Sequence, residues 1–127
     1  MKIELMLPIP PSTNHLYKTI MMPAKTTGQL VPRRAKTDDA KLYVEWVRLG
    51  IIAKYGVITM RAPVKIVGVL YGPDWRIVDL DNKKILYDSL GKWLGFDDRY
   101  LIEEHWRKVV AKWERPRIEF SVEEVRP

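Results

Sequence analysis

Two short acidic runs, Asp79-Leu80-Asp81-Asn82 and Asp97-Asp98, are the residues of this chain best suited to chemistry. In an extended backbone, side chains two apart point to the same face, so Asp79 and Asp81 project together. Two convergent carboxylates make a poor core and a good half-cage for a hard cation such as Mg²⁺. With Asp98 folded back beside them, three acids form a site that assists phosphodiester hydrolysis. There a metal polarises the phosphoryl oxygen, generates hydroxide from water and steadies the leaving oxygen; two ions about 3.5–4 Å apart would clamp both oxygens. Lys84, just downstream, suits neutralising charge on the transition state or orienting the attacking water. The plainer reading is structural, with Asp81 as a helix N-cap and Asp97-Asp98 as a solvated turn. A cap accounts for one acid, whereas Asp79, Asp81, Asn82 and Asp98 together need a second purpose.

These acids cluster in a basic protein. The 127 residues carry 22 Lys+Arg against 16 Asp+Glu, a net charge of +6, which favours a polyanionic partner. The length predicts one domain with a real hydrophobic core. There is no cysteine, so disulfides, zinc-thiolate sites and thiol nucleophiles are excluded. The opening Met1-Lys2-Ile3-Glu4-Leu5 has an acid inside its only short apolar stretch and does not read as a signal peptide. No apolar run approaches the roughly 20 residues that span a bilayer, so a soluble, cytoplasmic chain is expected.

The elements that must position the acids follow from periodicity. Lys2 to Leu7 alternates charged and apolar residues before Pro8-Ile9-Pro10-Pro11, which predicts a short strand ending in a rigid turn. Thr37 is a suitable N-cap for a helix whose apolar face is Ala40, Tyr43, Val44, Val47 and Ile51. Asp38 and Asp39 sit at its positive end and Gly56 closes it. Val64 to Tyr71 is rich in β-branched residues and reads as a strand, interrupted by the loop Gly72 to Arg76. A second helix follows, capped by Asp81 or Asn82, with Ile85, Leu86, Ser89, Leu90 and Trp93 on one side and Gly91 and Gly95 loosening its end. The stretch from Tyr100 to Trp113 fits strand or helix by pattern, and Val109-Val110 favour a strand. Arg117 to Val125 alternates cleanly as a half-buried strand. The fold class is α+β, a mixed sheet of about four strands packed with two main helices.

Tyr17 to Lys36 has no clean period. It carries Lys18, Lys25, Arg33, Arg34 and Lys36 with no acid, and Pro23, Gly28 and Pro32 break it. The expectation is an exposed basic loop at about 18–36. His15 and His105 have no metal-ligand spacing; His105 reads as a structural or surface residue, and His15, in the polar turn after Asn14, could touch a phosphate. Of the five tryptophans, Trp46, Trp93, Trp106 and Trp113 suit core or interface, while Trp75, just before the acids, could stack on a base.

The N-terminal strand running into Pro10-Pro11-Ser12-Thr13-Asn14, the central Asp79-Leu80-Asp81-Asn82, and the later Asp97-Asp98 resemble, in order and spacing, the RusA family of Holliday junction resolvases. The resemblance spans most of the chain. It implies a RusA-like homodimeric endonuclease that depends on Mg²⁺, with Mn²⁺ as a substitute, and resolves four-way DNA junctions by paired symmetric nicks in recombination and repair. A two-fold dimer would match the near two-fold symmetry of a junction and supply one site per cut strand. The family's three catalytic, metal-binding acids fall on Asp79, Asp81 and Asp98. Its helix lysine falls on Ile85 counting forward from Asp81 and on Lys84 counting back from Asp88; Lys84 is preferred over Lys83. Of the basic cluster that well-known members carry before the motif, only Arg76 remains. DNA contacts are therefore expected from Lys18, Lys25, Arg33, Arg34 and Lys36, with Arg76 and Asn14. The alternatives are a nuclease for flaps, forks or RNA, a non-catalytic DNA-binding module on the same scaffold, and a basic interaction protein.

Overall fold

The alternation at the N-terminus is honoured by the backbone. Lys2–Leu7 forms strand β1, with Ile3, Leu5 and Leu7 buried and Lys2, Glu4 and Met6 facing solvent. The structure, a computed structural model, describes residues 1–11, 17–74 and 83–125. After β1 come strands β2 (Tyr17–Pro23) and β3 (Leu30–Lys36), helix α1 (Asp38–Tyr55) and strand β4 (Val64–Gly72). Helix α2 (Lys84–Leu94), a 3-10 turn at Asp98–Tyr100, and strands β5 (Leu101–Val110) and β6 (Arg117–Glu124) complete the order. The fold is α+β, as its patterning indicates.

Four strands form one sheet in the order β1-β6-β4-β5. β6 runs antiparallel to both β1 and β4, while β4 and β5 are parallel. Parallel neighbours cannot be joined by a tight turn, and α2 lies on the connection from β4 to β5. One sheet face buries Ile3, Leu5, Val64, Ile66, Leu70, Ile118, Phe120 and Val122 in a single cluster with the apolar sides of α1 and α2. On α1 that side is Ala40, Tyr43, Val44, Val47 and Ile51, the stripe the spacing predicts. Thr37 accepts a hydrogen bond from the Ala40 N–H at 3.2 Å as N-cap.

Three details depart from expectation. The cap position of α2 is Lys83, whose side chain caps nothing, so the helix starts later than a cap at Asp81 or Asn82 would place it. Gly91 does not loosen the end of α2. It is buried, and a Cβ there would lie 2.5 Å from the Phe96 carbonyl oxygen. The expected loop at 18–36 is an antiparallel hairpin pairing Lys18 with Ala35 and Met22 with Val31. It remains exposed and basic, and only residues 24–29 form its turn. Period-two reading misses such a ribbon because that pattern reports one buried face; this ribbon has none. Among the described residues, no helix is long and apolar enough to cross a membrane.

Candidate functional site

The return from α2 to β5 sets the position of Asp98. Gly95 takes the left-handed conformation (φ 84°), and the N–H groups of Gly95 and Phe96 both donate to the Gly91 carbonyl, at 2.9 and 3.0 Å. The missing Cβ of Gly91 lets the returning backbone lie against the helix. Asp97 then caps the 3-10 turn, its carboxylate accepting from the Arg99 N–H at 3.1 Å and meeting the Arg99 guanidinium at 3.4 Å. That backbone N–H is the main cause that holds Asp97 below the ordinary carboxylate range.

Asp98 is thereby brought onto Asp88, one turn into α2. The two carboxyls lie close enough to interact, and Lys84 and Lys36 lie within electrostatic reach of Asp88. Partial burial raises the pKa of Asp88 first, and the Asp98 charge adds to it. Lys84 and then Lys36 pull the other way without cancelling the rise. Lys84 stands one turn before Asp88 on the same helix face. Lys36 comes from the base of the hairpin, so three separate elements meet here. Asp88 is the residue that site reasoning from sequence passes over. Its signal was available in the Lys84–Asp88 spacing of four.

Lys83 and Lys84 part company. Lys83 is only 15% exposed, 3.3 Å from the Glu104 carboxylate, and lies over the rings of Tyr87 and Trp106 at 5.8 and 5.6 Å. The Tyr87 hydroxyl donates to Glu104 and accepts from Trp106 Nε1 at 2.8 Å. Burial, then the bond to Glu104, raises the Tyr87 pKa. Lys83 therefore belongs to a clamp between α2 and β5. Gly68 completes that clamp, since a Cβ there would lie 2.5 Å from the Trp106 ring. Lys84 is exposed and stands beside the acid pair.

The remaining candidates divide by place. Asp79, Asp81, Asn82, Arg76 and Trp75, with Asn14 and His15, lie outside the described residues. Lys18, Lys25, Arg33 and Arg34 are exposed along the hairpin, and Lys36 is half-buried at its base. His105 is a surface residue, 2.8 Å from the Glu103 carboxylate. Trp113 is 98% exposed and so is not a core residue; Trp93 is half-buried and donates to the Val44 carbonyl at 3.1 Å.

Among the described residues no group of three or more His, Asp or Glu could hold a metal ion. The donor chemistry present still suits a hard cation. Asp88 and Asp98 offer oxygen ligands whose mutual repulsion a divalent ion would relieve, and Mg²⁺ is ordinarily held by one or two carboxylates plus substrate phosphates. Two hollows formed by described residues lie over the sheet face near Glu4, Lys54 and Phe120 and beside Trp93.

No family model matches the chain, and no curated protein matches it closely. Among solved structures, it is similar to a hypothetical protein from Thermotoga maritima described as having a fatty acid binding function. That likeness covers 98% of this chain at 13% identity with a TM-score of 0.33, too loose to bear on the site. The chain spans 42% of that protein's length.

Proposed function

We propose that this protein is a Mg²⁺-dependent, structure-selective endodeoxyribonuclease of the RusA type that cuts four-way DNA junctions in pairs of symmetric nicks, acting as a cytoplasmic homodimer in recombination and repair. The observation that carries the reading is the return of Asp98 onto α2, where it meets Asp88 between Lys84 and Lys36. A basic protein has little structural reason to press two carboxyls together on its surface. A nuclease has one, because carboxylates there can hold a cation while neighbouring lysines receive the phosphate.

Asp98 would hold the Mg²⁺ together with Asp79 and Asp81, which the sequence places directly before α2; Mn²⁺ has the same preference for oxygen ligands. The ion, when bound, supplies Lewis acidity toward the phosphoryl oxygen and an acidified water. Asp88, which lies against Asp98, would help to position that carboxylate. The Lys84 ammonium, on the open side of the pair, neutralises charge that develops on the phosphate. Lys36 and the exposed Lys18, Lys25, Arg33 and Arg34 take adjoining phosphates, with Arg76 and Asn14 assigned the same task.

The test is nicking of a mobile four-way junction with and without Mg²⁺, with cuts mapped on all strands. Asp98→Asn, Asp79→Asn and Asp81→Asn should each reduce cleavage by about 10³-fold while junction binding persists or tightens, since each removes charge that repels phosphate. Normal cutting by these variants would sink the assignment. The second reading is a non-catalytic DNA-binding module on the same scaffold, which the exposed basic residues of the hairpin would serve equally well. Salt-sensitive binding indifferent to Mg²⁺, with no nicking, would select it. Preferential cutting of flaps, forks or RNA would keep the chemistry and change the substrate.

A further inference from the structure

The β2–β3 hairpin has a chemical division along its length. Its base is basic, with Lys18, Arg33, Arg34 and Lys36. Its outer half is apolar: Met21, Met22 and Pro23 on one strand face Pro32, Val31 and Leu30 on the other. Met21, Met22 and Leu30 are 57%, 46% and 63% exposed. Paired residues share a side, so Met21 with Pro32 and Pro23 with Leu30 occupy one face while Met22 with Val31 occupies the other. The outer half is therefore apolar on both faces. Beyond it lies a polar turn, Lys25 to Gln29, closed by the Gly28 N–H donating to the Ala24 carbonyl at 3.0 Å.

An isolated two-stranded ribbon is marginal in water, and exposed apolar residues on both of its faces make it more so. What covers them must offer apolar surface on two sides at once and negative charge at the base. A duplex groove meets only the second requirement, because phosphates and base edges line it. A bilayer meets the first but would strand the unpaired strand edges and Lys25 in hydrocarbon. The centre of branched DNA meets both, since base-pair faces at the branch are open on either side and phosphates converge around them. Seven residues per strand give a reach of about 23 Å and the two strands are about 4.8 Å apart, thin enough to enter such an opening. Lys36 ties the base of the ribbon to the acid pair, so the ribbon and the proposed cutting site address the same substrate.

We infer that the outer half of the β2–β3 ribbon inserts at the branch point of DNA, Met21, Met22, Leu30 and Val31 covering unstacked base faces while the basic base grips phosphates. Apolar side chains inserted at base steps act in this way in proteins that kink duplexes. The inference rests on the proposed nuclease function only for the class of partner.

The test uses the full chain in EDTA, which suspends Mg²⁺-dependent cleavage, with a four-way junction carrying 2-aminopurine beside the branch and a linear duplex as control. The protein should raise 2-aminopurine fluorescence in the junction and not in the duplex. The variant Met21→Ser/Met22→Ser/Leu30→Ser, checked for native circular dichroism, should lose that signal and about tenfold in junction affinity, with duplex affinity unchanged. Arg33→Ala/Arg34→Ala should weaken both substrates alike and lower the salt slope by about two. Unchanged affinity and fluorescence in the serine variant overturn the inference. So does a change in its sedimentation with the fluorescence signal intact, which would make the apolar half a protein contact. Mg²⁺-dependent nicking without unstacking overturns the insertion alone, and unstacking without nicking overturns the nuclease alone. Absence of DNA binding at low salt overturns both.

Discussion

The α2 crossover and the β2–β3 ribbon are both proposed to meet DNA, and they are built in opposite ways. α2 buries Ile85, Leu86, Ser89, Leu90, Gly91 and Leu94, and its clamp of Lys83, Tyr87, Glu104 and Trp106 locks it to β5. Among its described side chains the ribbon buries none fully, and it is held by its own strand pairing. Catalysis tolerates little misplacement of its groups, and the placement of Asp88, Asp98 and Lys84 on or against the packed element suits the proposed chemistry. Contact with a polymer needs reach and charge, which an exposed ribbon supplies. Substitutions in the crossover should therefore change rate or stability, and those in the ribbon should change affinity alone.

The sharpest division falls between two adjacent lysines. Lys84→Ala should lower junction cleavage by about 10²-fold or more with little change in melting temperature, because its ammonium serves the phosphate. Lys83→Ala should lower stability by about 1 kcal/mol, since it removes one of the partners of Glu104 and uncovers two rings. Activity at saturating substrate should survive it. Cleavage rates and thermal melts of the two variants separate the roles. Equal losses of activity without loss of stability would erase the distinction between clamp and site.

A smaller effect tests the return that brings Asp98 back. Ala in place of Gly inside a helix ordinarily adds up to about 1 kcal/mol of stability. At Gly91 the added Cβ would press on the Phe96 carbonyl at 2.5 Å, so Gly91→Ala should instead cost about 1–3 kcal/mol and displace Asp98. Chemical denaturation measures the first consequence and the cleavage rate the second. A gain in stability would mean that the return is not held against Gly91.

How much of this was legible depends on what a residue reports about itself. The faces of β1, α1 and β6 could be read directly, because each buries one side and Ile3, Val47 or Phe120 recurs at the matching interval. The start of α2 could not, since sequence offered Asp81 and Asn82 as caps and the helix is preceded by Lys83 without a side-chain cap. The ribbon was hidden by having two exposed faces. Asp98 was visible as an acid, but its partner was not. Asp88 gains its meaning from the Gly91–Gly95 return, a tertiary contact that a linear spacing does not encode.

The most delicate test lies in the ionisation of that partner. The fold holds the Asp88 pKa above its ordinary value, so the folded chain binds this proton more tightly than the unfolded chain does. Stability from this group is then present at low pH and is lost as pH rises from the ordinary Asp range through the raised value. Above the raised value, and without divalent ions, the Asp88 charge works against that of Asp98. Asp88→Asn, which keeps a hydrogen-bonding partner and carries no charge, should melt slightly higher than the wild type at pH 7. The gap should close as pH falls into the carboxylate range. Mg²⁺ at millimolar concentration should raise the wild-type melting temperature more than that of the variant, because a bound cation relieves a repulsion that only the wild type has. Melting curves at several pH values, with and without Mg²⁺, measure both differences. A variant gap that stays constant with pH would show that Asp88 and Asp98 do not share their charge, and the acid pair would then be two independent surface residues.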